Sequence, residues 1–301
     1  MAVGDIITAT RYNNLQTRIA AIFGTGSGTN GYGQSVASSA VSAGTTVTAA
    51  QINNIVNDMI KARTHQTGSA PGTVTTVAVG DLIAENTSTN PNGTLKGIAD
   101  FETLMTDIEA DKFLIAGSQA SAATGISNSS SSAWNGTRTH EVRMTFTSSN
   151  SIRHFFNSGG ELRTSASLTG GSGAKDSDWA TMLSNMGTIK MNYTQTVSTG
   201  TGSGSSIGFY DLTASYQTIF SKSGSGVYAE NDYIVQARSA SSTTIDFKIL
   251  FQDDDAGDQT GLGPPVDENV TGTLTSTVSY LRASGSNVSV AAPAFSNTTT
   301  Y

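Results

Sequence analysis

The chain has no cysteine, only five prolines in 301 residues, and charged side chains at just 13%. Without thiols there are no disulfides, no thiolate nucleophile and no cysteine-based metal site. An average soluble protein carries roughly 25% charged residues, so surfaces here must be wetted by other groups. Basic residues are the scarcer sign, 16 Lys+Arg against 23 Asp+Glu, for a net charge of -7. No basic stripe is available to neutralise phosphates, and a nucleic-acid partner is not expected. No window approaches the about 18 apolar residues that span a bilayer. The opening, Met1 to Asn14, lacks a basic start followed by an apolar run, so no secretory signal and no membrane partner are expected.

What fills the gap is Gly, Ser, Thr, Ala and Asn, a composition suited to short strands and many turns. Hydrophobic residues still make up 37%. With a modest net charge, that argues against a disordered chain. The length allows two or three domains, each with its own core.

Residues 1–70 contain an internal repeat. Thr8-Ala9-Thr10-Arg11-Tyr12-Asn13-Asn14-Leu15 is matched 40 residues later by Thr48-Ala49-Ala50-Gln51-Ile52-Asn53-Asn54-Ile55. Each copy follows a β-branched stretch, Ile6-Ile7 or Thr46-Val47, and continues as an amphipathic helix. Tyr12, Leu15, Ile19 and Ile22 share one face of the first helix, and Ile52, Ile55, Val56 and Met59 share one face of the second. Thr8 and Thr48 stand at N-cap positions, and Gly24 stops the first helix. Two short helices cannot build a core alone. These eight residues are therefore expected to form an assembly interface, between the copies or between subunits, with a small cap on the same chain as the alternative. The intervening Gly24–Gln34 loop is glycine-rich, but it lacks a Walker lysine and the strand-to-helix context of a phosphate cradle. A compact turn around Tyr32 is the plainer reading.

Residues 71–137 read as a linker. Val74, Val77 and Val79 suggest one strand, residues 97–112 a helix with Asp100 in its first turn, and residues 117–136 a low-complexity link. Residues 138–301 are expected to form an antiparallel β-sandwich of jelly-roll type, a barrel being the alternative. Strands are expected at 139–146, 161–168, 188–197, 207–209, 216–222, 233–237, 243–251 and 271–281, with helical inserts at 149–157 and 177–186. The fold class is thus α+β, mainly β.

Few residues suggest chemistry. His65, His140 and His154 are far apart, without metal-ligand spacing, and no G-x-S-x-G elbow occurs. The acidic run Asp253-Asp254-Asp255-Ala256-Gly257-Asp258, then Asp267-Glu268, offers hard oxygen ligands that suit calcium, though not at EF-hand spacing. A solvated acidic loop explains it equally. Tyr210, Tyr216, Tyr228 and Tyr233 are possible sugar platforms, yet no paired carboxylates stand out for glycoside hydrolysis. No catalytic residue, metal or cofactor is assigned.

Arg153-His154-Phe155-Phe156-Asn157-Ser158-Gly159-Gly160-Glu161-Leu162-Arg163 resembles a segment of virion structural proteins of tailed phages, with Leu162 where that family has isoleucine. Asp178-Trp179-Ala180-Thr181-Met182-Leu183-Ser184-Asn185-Met186-Gly187-Thr188 looks like the family's next element. Residues 1–22 with Gly31-Tyr32-Gly33-Gln34, and the later Gly272-Thr273-Leu274-Thr275-Ser276-Thr277-Val278, are similar to such proteins in myoviruses of marine cyanobacteria. The resemblance spans nearly the whole chain. It implies a structural part of the virion, assembled in the host cytoplasm: a tail, neck, collar or baseplate appendage such as a fibre or its adaptor, and not an enzyme. A capsid decoration protein and a host-surface glycan-binding protein are the alternatives. Its partners would be other virion proteins and copies of itself, with closed, guessed three-fold symmetry. In the first motif, turn chemistry accounts for the residue types: Phe155 and Phe156 plug a core, and Asn157, Gly159 and Gly160 turn the chain from helix to strand.

Overall fold

A computed structural model describes residues 7–81, 83–86, 96–257 and 267–301. Ile6 and Asp258 lie outside the described residues. The chain forms two compact units. Unit 1 comprises Met1–Ser121, Arg153–Gly160 and Arg282–Ala291, and unit 2 comprises Ala122–Ile152, Glu161–Leu281 and Ala292–Tyr301. The expected split at residues 70 and 137 is therefore replaced by units that each draw on separated stretches of sequence.

Unit 1 is built on three helices, α1 (Ala9–Phe23), α2 (Ala49–Thr67) and α3 (Ile98–Ala110). Thr8 caps α1 by accepting from the Arg11 amide at 3.2 Å. Thr48 caps α2 in a capping box, its hydroxyl accepting from Gln51 N at 3.3 Å while Gln51 Oε1 accepts from Thr48 N at 2.8 Å. Arg11 replaces that glutamine in the first copy and instead holds Glu85 and Glu102 by paired hydrogen bonds.

The helix faces are not docking surfaces. Tyr12, Leu15, Ile19, Ile22, Ile52, Ile55, Val56 and Met59 are each at most 5% exposed within the single chain. The third helix makes the difference. Its Ile98, Phe101, Leu104, Met105 and Ile108 are buried as well, and α3 packs on both α1 and α2. Residues 71–137 are therefore not a linker, and the eight residues expected at an assembly interface form a core.

The repeat has a structural meaning in its asparagines. Asn13 and Asn53 occupy the same turn of their helices, and each clamps a distant peptide from both sides. Asn13 Nδ2 donates to Val41 O and Asn13 Oδ1 accepts from Val41 N, both at 2.8 Å. Asn53 does the same to Val77, at 2.8 and 2.7 Å. That clamp explains why 74–79 forms no strand: the Val77 backbone is already paired with a side chain. Val74 and Val77 are buried, whereas Val79 is 96% exposed.

Unit 2 holds two five-stranded antiparallel sheets, with orders β1-β9-β3-β4-β5 and β10-β2-β8-β7-β6. The strands are β1 (Ala120–Ser130), β2 (Gly136–Thr145), β3 (Glu161–Thr169), β4 (Ile189–Met191), β5 (Thr196–Ser198), β6 (Gln217–Ser223), β7 (Asp232–Ser241), β8 (Thr244–Asp253), β9 (Thr273–Ala283) and β10 (Ala294–Thr299). β1 to β3 alternate between the sheets, and so do β8 to β10. β2 lies between β8 and β10, and β9 between β1 and β3, which gives a jelly-roll-like winding. Ile245, Phe247, Ile249 and Phe251 of β8 are buried at every second position, facing Val142 and Met144 of β2 across the register. His140 joins the sheets, its Nδ1 2.9 Å from Ser276 Oγ and its Nε2 2.9 Å from Asn297 Oδ1.

Helices α4 (Ser149–Asn157) and α5 (Ala174–Met186) fall where the sequence places them. Besides β10, which no expected strand covers, three stretches differ from expectation. Residues 188–197 form two strands, because the Asn192 side chain accepts from Thr194 N and Gln195 N and turns the chain between them. Residues 209–211 are a 3-10 turn in which the Asp211 carboxylate accepts from Gly208 N. The Ser-rich run at 117–136 contains β1, whose Ser127 and Ser129 hydroxyls bond Thr277 and Thr275 of β9. Among the described residues, no helix is long and apolar enough to cross a membrane.

Replacing Asn13 or Asn53 by alanine strands both backbone groups of a buried valine. Each of N13A and N53A is expected to lower stability by about 2 kcal/mol in urea unfolding, while N14A, at an exposed position, stays within about 0.5 kcal/mol of wild type.

Candidate functional site

The glycine-rich loop and the Arg153–Gly160 part of the motif are parts of one structure in unit 1. Residues 24–34 fold back on α1: Tyr32 N donates to Ile22 O, Gly33 N to Gly24 O and Gln34 N to Phe23 O, at 2.8 to 3.0 Å. Asn30 N donates to Ser27 O at 3.0 Å. With these N–H groups engaged, the loop presents carbonyl oxygens. The Arg153 guanidinium donates to Asn30 O, to Thr25 O at 2.8 Å and to Gly26 O at 3.3 Å. His154 Nε2 donates to Thr25 O at 3.0 Å, and Asn157 Nδ2 donates to Gly28 O at 3.2 Å. A phosphate cradle needs the opposite polarity, amides turned outward. This loop is built for a cation, and the chain supplies it as Arg153.

The rest of the motif locks that arrangement. Phe155 and Phe156 are fully buried and meet edge to face at 5.1 Å. The Ser158 hydroxyl donates to His154 O at 2.8 Å. Gly159 has φ +85, and a Cβ there would lie 2.7 Å from Ile115. The chain then enters β3 at Glu161, so the expected helix-turn-strand corner at Phe155, Phe156, Asn157, Gly159 and Gly160 is present. Gly33 answers it from the loop side, with φ +74 and no room for a Cβ, which would fall 2.2 Å from His154 Nδ1.

Beneath the clasp lies a buried polar string. His65 Nε2 donates to Ser158 O at 3.0 Å, and its ring meets Tyr32 edge-on at 5.0 Å. The Tyr32 hydroxyl donates to Lys112 O at 2.7 Å and accepts from Gln66 Nε2 at 2.9 Å. Burial pushes His65 down to about 4, against the pull of the Ser158 carbonyl. Burial also lowers His154, and the adjacent Arg153 charge adds to the effect. Both rings serve the fold as neutral donors.

The acidic run in unit 2 is likewise organised by a cation from within. Lys175, 1% exposed, sits at the start of α5 with its Nζ 3.1 Å from Asp253 Oδ1, 3.2 Å from Asp255 Oδ2 and 3.0 Å from Asp267 Oδ1. An ammonium thus sits among these three carboxylates, and among the described residues no cluster is arranged to hold a metal ion. Asn231 Oδ1 accepts from Asp254 N and Asp255 N at 3.0 Å. The neighbouring Asp176 carboxylate accepts from Ser172 N, Gly173 N, Thr271 N and the Thr271 hydroxyl. Burial penalises the Lys175 charge, but the three carboxylates outweigh it and raise its affinity for the proton.

The four tyrosines separate. Tyr233 is core, Tyr210 packs edge-on against Phe209 at 4.9 Å, and Tyr228 closes a 3-10 turn. Tyr216 stands between two cations, with the Arg238 guanidinium 4.5 Å and the Lys248 ammonium 5.7 Å from its centroid. Beside it, buried Asp246 accepts paired hydrogen bonds from Arg143 and from Arg238, all between 2.8 and 3.0 Å. The sequence carries no local signal for this cluster, for Lys175 or for the Arg153 contacts, because every partner is distant along the chain.

Two outcomes follow for unit 1. R153K supplies a charge but not the fork that reaches three carbonyls, so it is expected to destabilise nearly as much as R153A, by about 2 kcal/mol in thermal or urea unfolding. A folded-state histidine below its unfolded value stabilises fully above about 6.5, and that stability is lost as pH falls toward 4. Urea unfolding of wild type and H65Q across this range should show their stabilities converging toward low pH, by up to about 3 kcal/mol.

Neither a family model, nor a curated protein, nor a solved structure matches this chain.

Proposed function

We propose that the chain is a structural protein of a tailed-phage virion, acting in a tail, collar or baseplate appendage by assembly and docking. The reading rests on the resemblance of residues 153–163 to virion proteins. The observation that supports it is that each side chain from Arg153 to Ser158 in that stretch closes a glycine loop, fills a core or turns the chain. The motif is a fastener within unit 1. Since the amphipathic helix faces lie inside unit 1, docking falls to other surfaces. The outer strands β1 and β10 end their sheets and present edges of the kind that add strands from another chain, whereas the edges of β5 and β6 are partly engaged by residues 203–205. Exposed Val197 lies on β5.

A glycan-binding reading has one observation in its favour, the Tyr216 ring flanked by Arg238 and Lys248 beside the Arg143–Asp246 pair. Aromatic faces with adjacent charged donors suit acidic sugars. A Y216A variant that loses binding on a glycan array would favour that role.

Immunogold labelling of purified virions with an antibody to the chain is the direct test. Label on tail, collar or baseplate, with copies per particle in the tens, is the expected result. Copies in the hundreds along the head would favour capsid decoration, and unlabelled particles would refute a virion role.

A further inference from the structure

Lys175 and Asp253 meet in the interior of unit 2. Lys175 precedes Trp179 by one turn of α5, and Asp253 follows Phe251 by two residues in β8. Each therefore continues the face on which Trp179 and Phe251 pack, ring centroids 6.3 Å apart. Trp134 covers Trp179 edge-on at 5.1 Å. The Asp253 side chain is wholly buried.

The amine touches both oxygens of the carboxyl group. Lys175 Nζ lies 3.1 Å from Asp253 Oδ1 and 3.3 Å from Oδ2. With both carboxyl oxygens in contact, the amine is also a near neighbour of the carbon that joins them. Buried Oδ1 receives no well-directed hydrogen bond despite that proximity. Bonds form from about 3–3.5 Å between reacting atoms once these are aligned, so the amine must approach Cγ over the face of the carboxyl plane. Burial pushes Asp253 up to about 6, with the charges of Asp267 and Asp255 adding and Lys175 opposing. The neutral acid is the form that an amine attacks. Asp267 Oδ1 accepts from Nζ at 3.0 Å, and its side chain is 39% exposed, so it can pass protons and water to solvent.

We propose that Lys175 and Asp253 condense into an intramolecular isopeptide bond. A proton of the Lys175 ammonium moves to Asp267, an uphill step, since the surrounding carboxylates favour the ammonium and Asn135 and Lys175 favour the ionised Asp267. The amine lone pair attacks Cγ of protonated Asp253, forming the N–C bond. The Asp267 proton leaves with the departing hydroxyl as water as the C–O bond breaks, and the remaining surplus proton on nitrogen is released through Asp267. One ammonium and one carboxylate become one amide and one water, with no oxidant or reductant. The product ties the start of α5 to the end of β8, a covalent cross-link in a chain that has no cysteine to make one.

Intact-mass spectrometry of the purified, denatured full-length chain tests this. The expected mass is one water below that of the sequence, after allowing for removal of the initiator methionine. Fragmentation of a digest is expected to find the Lys175 and Asp253 peptides joined as a branched species. K175R and D253A should restore the full mass, and D267N should slow cross-linking in freshly made protein. A wild-type mass equal to the full sequence after prolonged incubation near pH 6 would overturn the proposal. A lost water traced to a linear peptide, or to a different pair of residues, would overturn it as well. The primary readout uses the wild-type chain, so a variant that fails to fold leaves the test intact.

Discussion

The Arg153 guanidinium set against the carbonyls of the glycine loop is the interaction on which unit 1 depends. A loop that turns its amides inward leaves oxygen atoms facing out. These carbonyls are exposed or half-buried, and a charged donor holds them more firmly than a neutral one. One planar group with several fixed N–H bonds answers three of them at once, and His154 and Asn157 add to it. That cation arrives late in the chain, between the second and third strands. A second late stretch also belongs to unit 1, where Ser284 N donates to Gln119 O and Gln34 Nε2 to Ser289 O. The helical unit is therefore closed by contacts far apart in sequence, which cost more loop entropy than local ones.

The low charge content takes on a meaning in this light. Several of the chain's few charges act as internal fasteners. Arg11 ties α1 to Glu102 of α3 and to Glu85, Arg18 ties α1 to Glu109, and Asp58 takes the amides of Ala37 and Ser38. In unit 2, Lys175 gathers three carboxylates and Asp246 gathers two arginines. Wetting of the surface falls instead to hydroxyls and amides. The Ser127–Thr277 and Ser129–Thr275 pairs show how such groups also join strands.

Much of the fold was legible because hydrophobic periodicity reports burial directly. The faces of α1, α2 and α3, both threonine caps, and strands such as β7 and β8 with their alternating apolar residues all follow from it. The meaning of the helix faces did not, since nothing in residues 1–70 reveals that α3 will cover them. β1 and β10 were hidden because they pair through serine, threonine and asparagine, whose pattern resembles a linker. The apparent strand at 74–79 failed because a side-chain amide from Asn53 captured the Val77 backbone. The repeated asparagine was visible as a pattern, but its role needed the third dimension. The same holds for the clasp, whose two halves are each visible in the sequence with nothing in it to pair them.

The dependence of unit 1 on its late segments can be measured with one fragment. Residues 1–121 contain all three helices and the loop but lack Arg153–Gly160 and Arg282–Ala291. The expected result is a fragment with helical signal but no cooperative urea transition, which gains one when a peptide spanning 149–160 is added. A fragment that unfolds cooperatively by itself, as stably as the helical unit does within the full-length chain, would contradict the central claim.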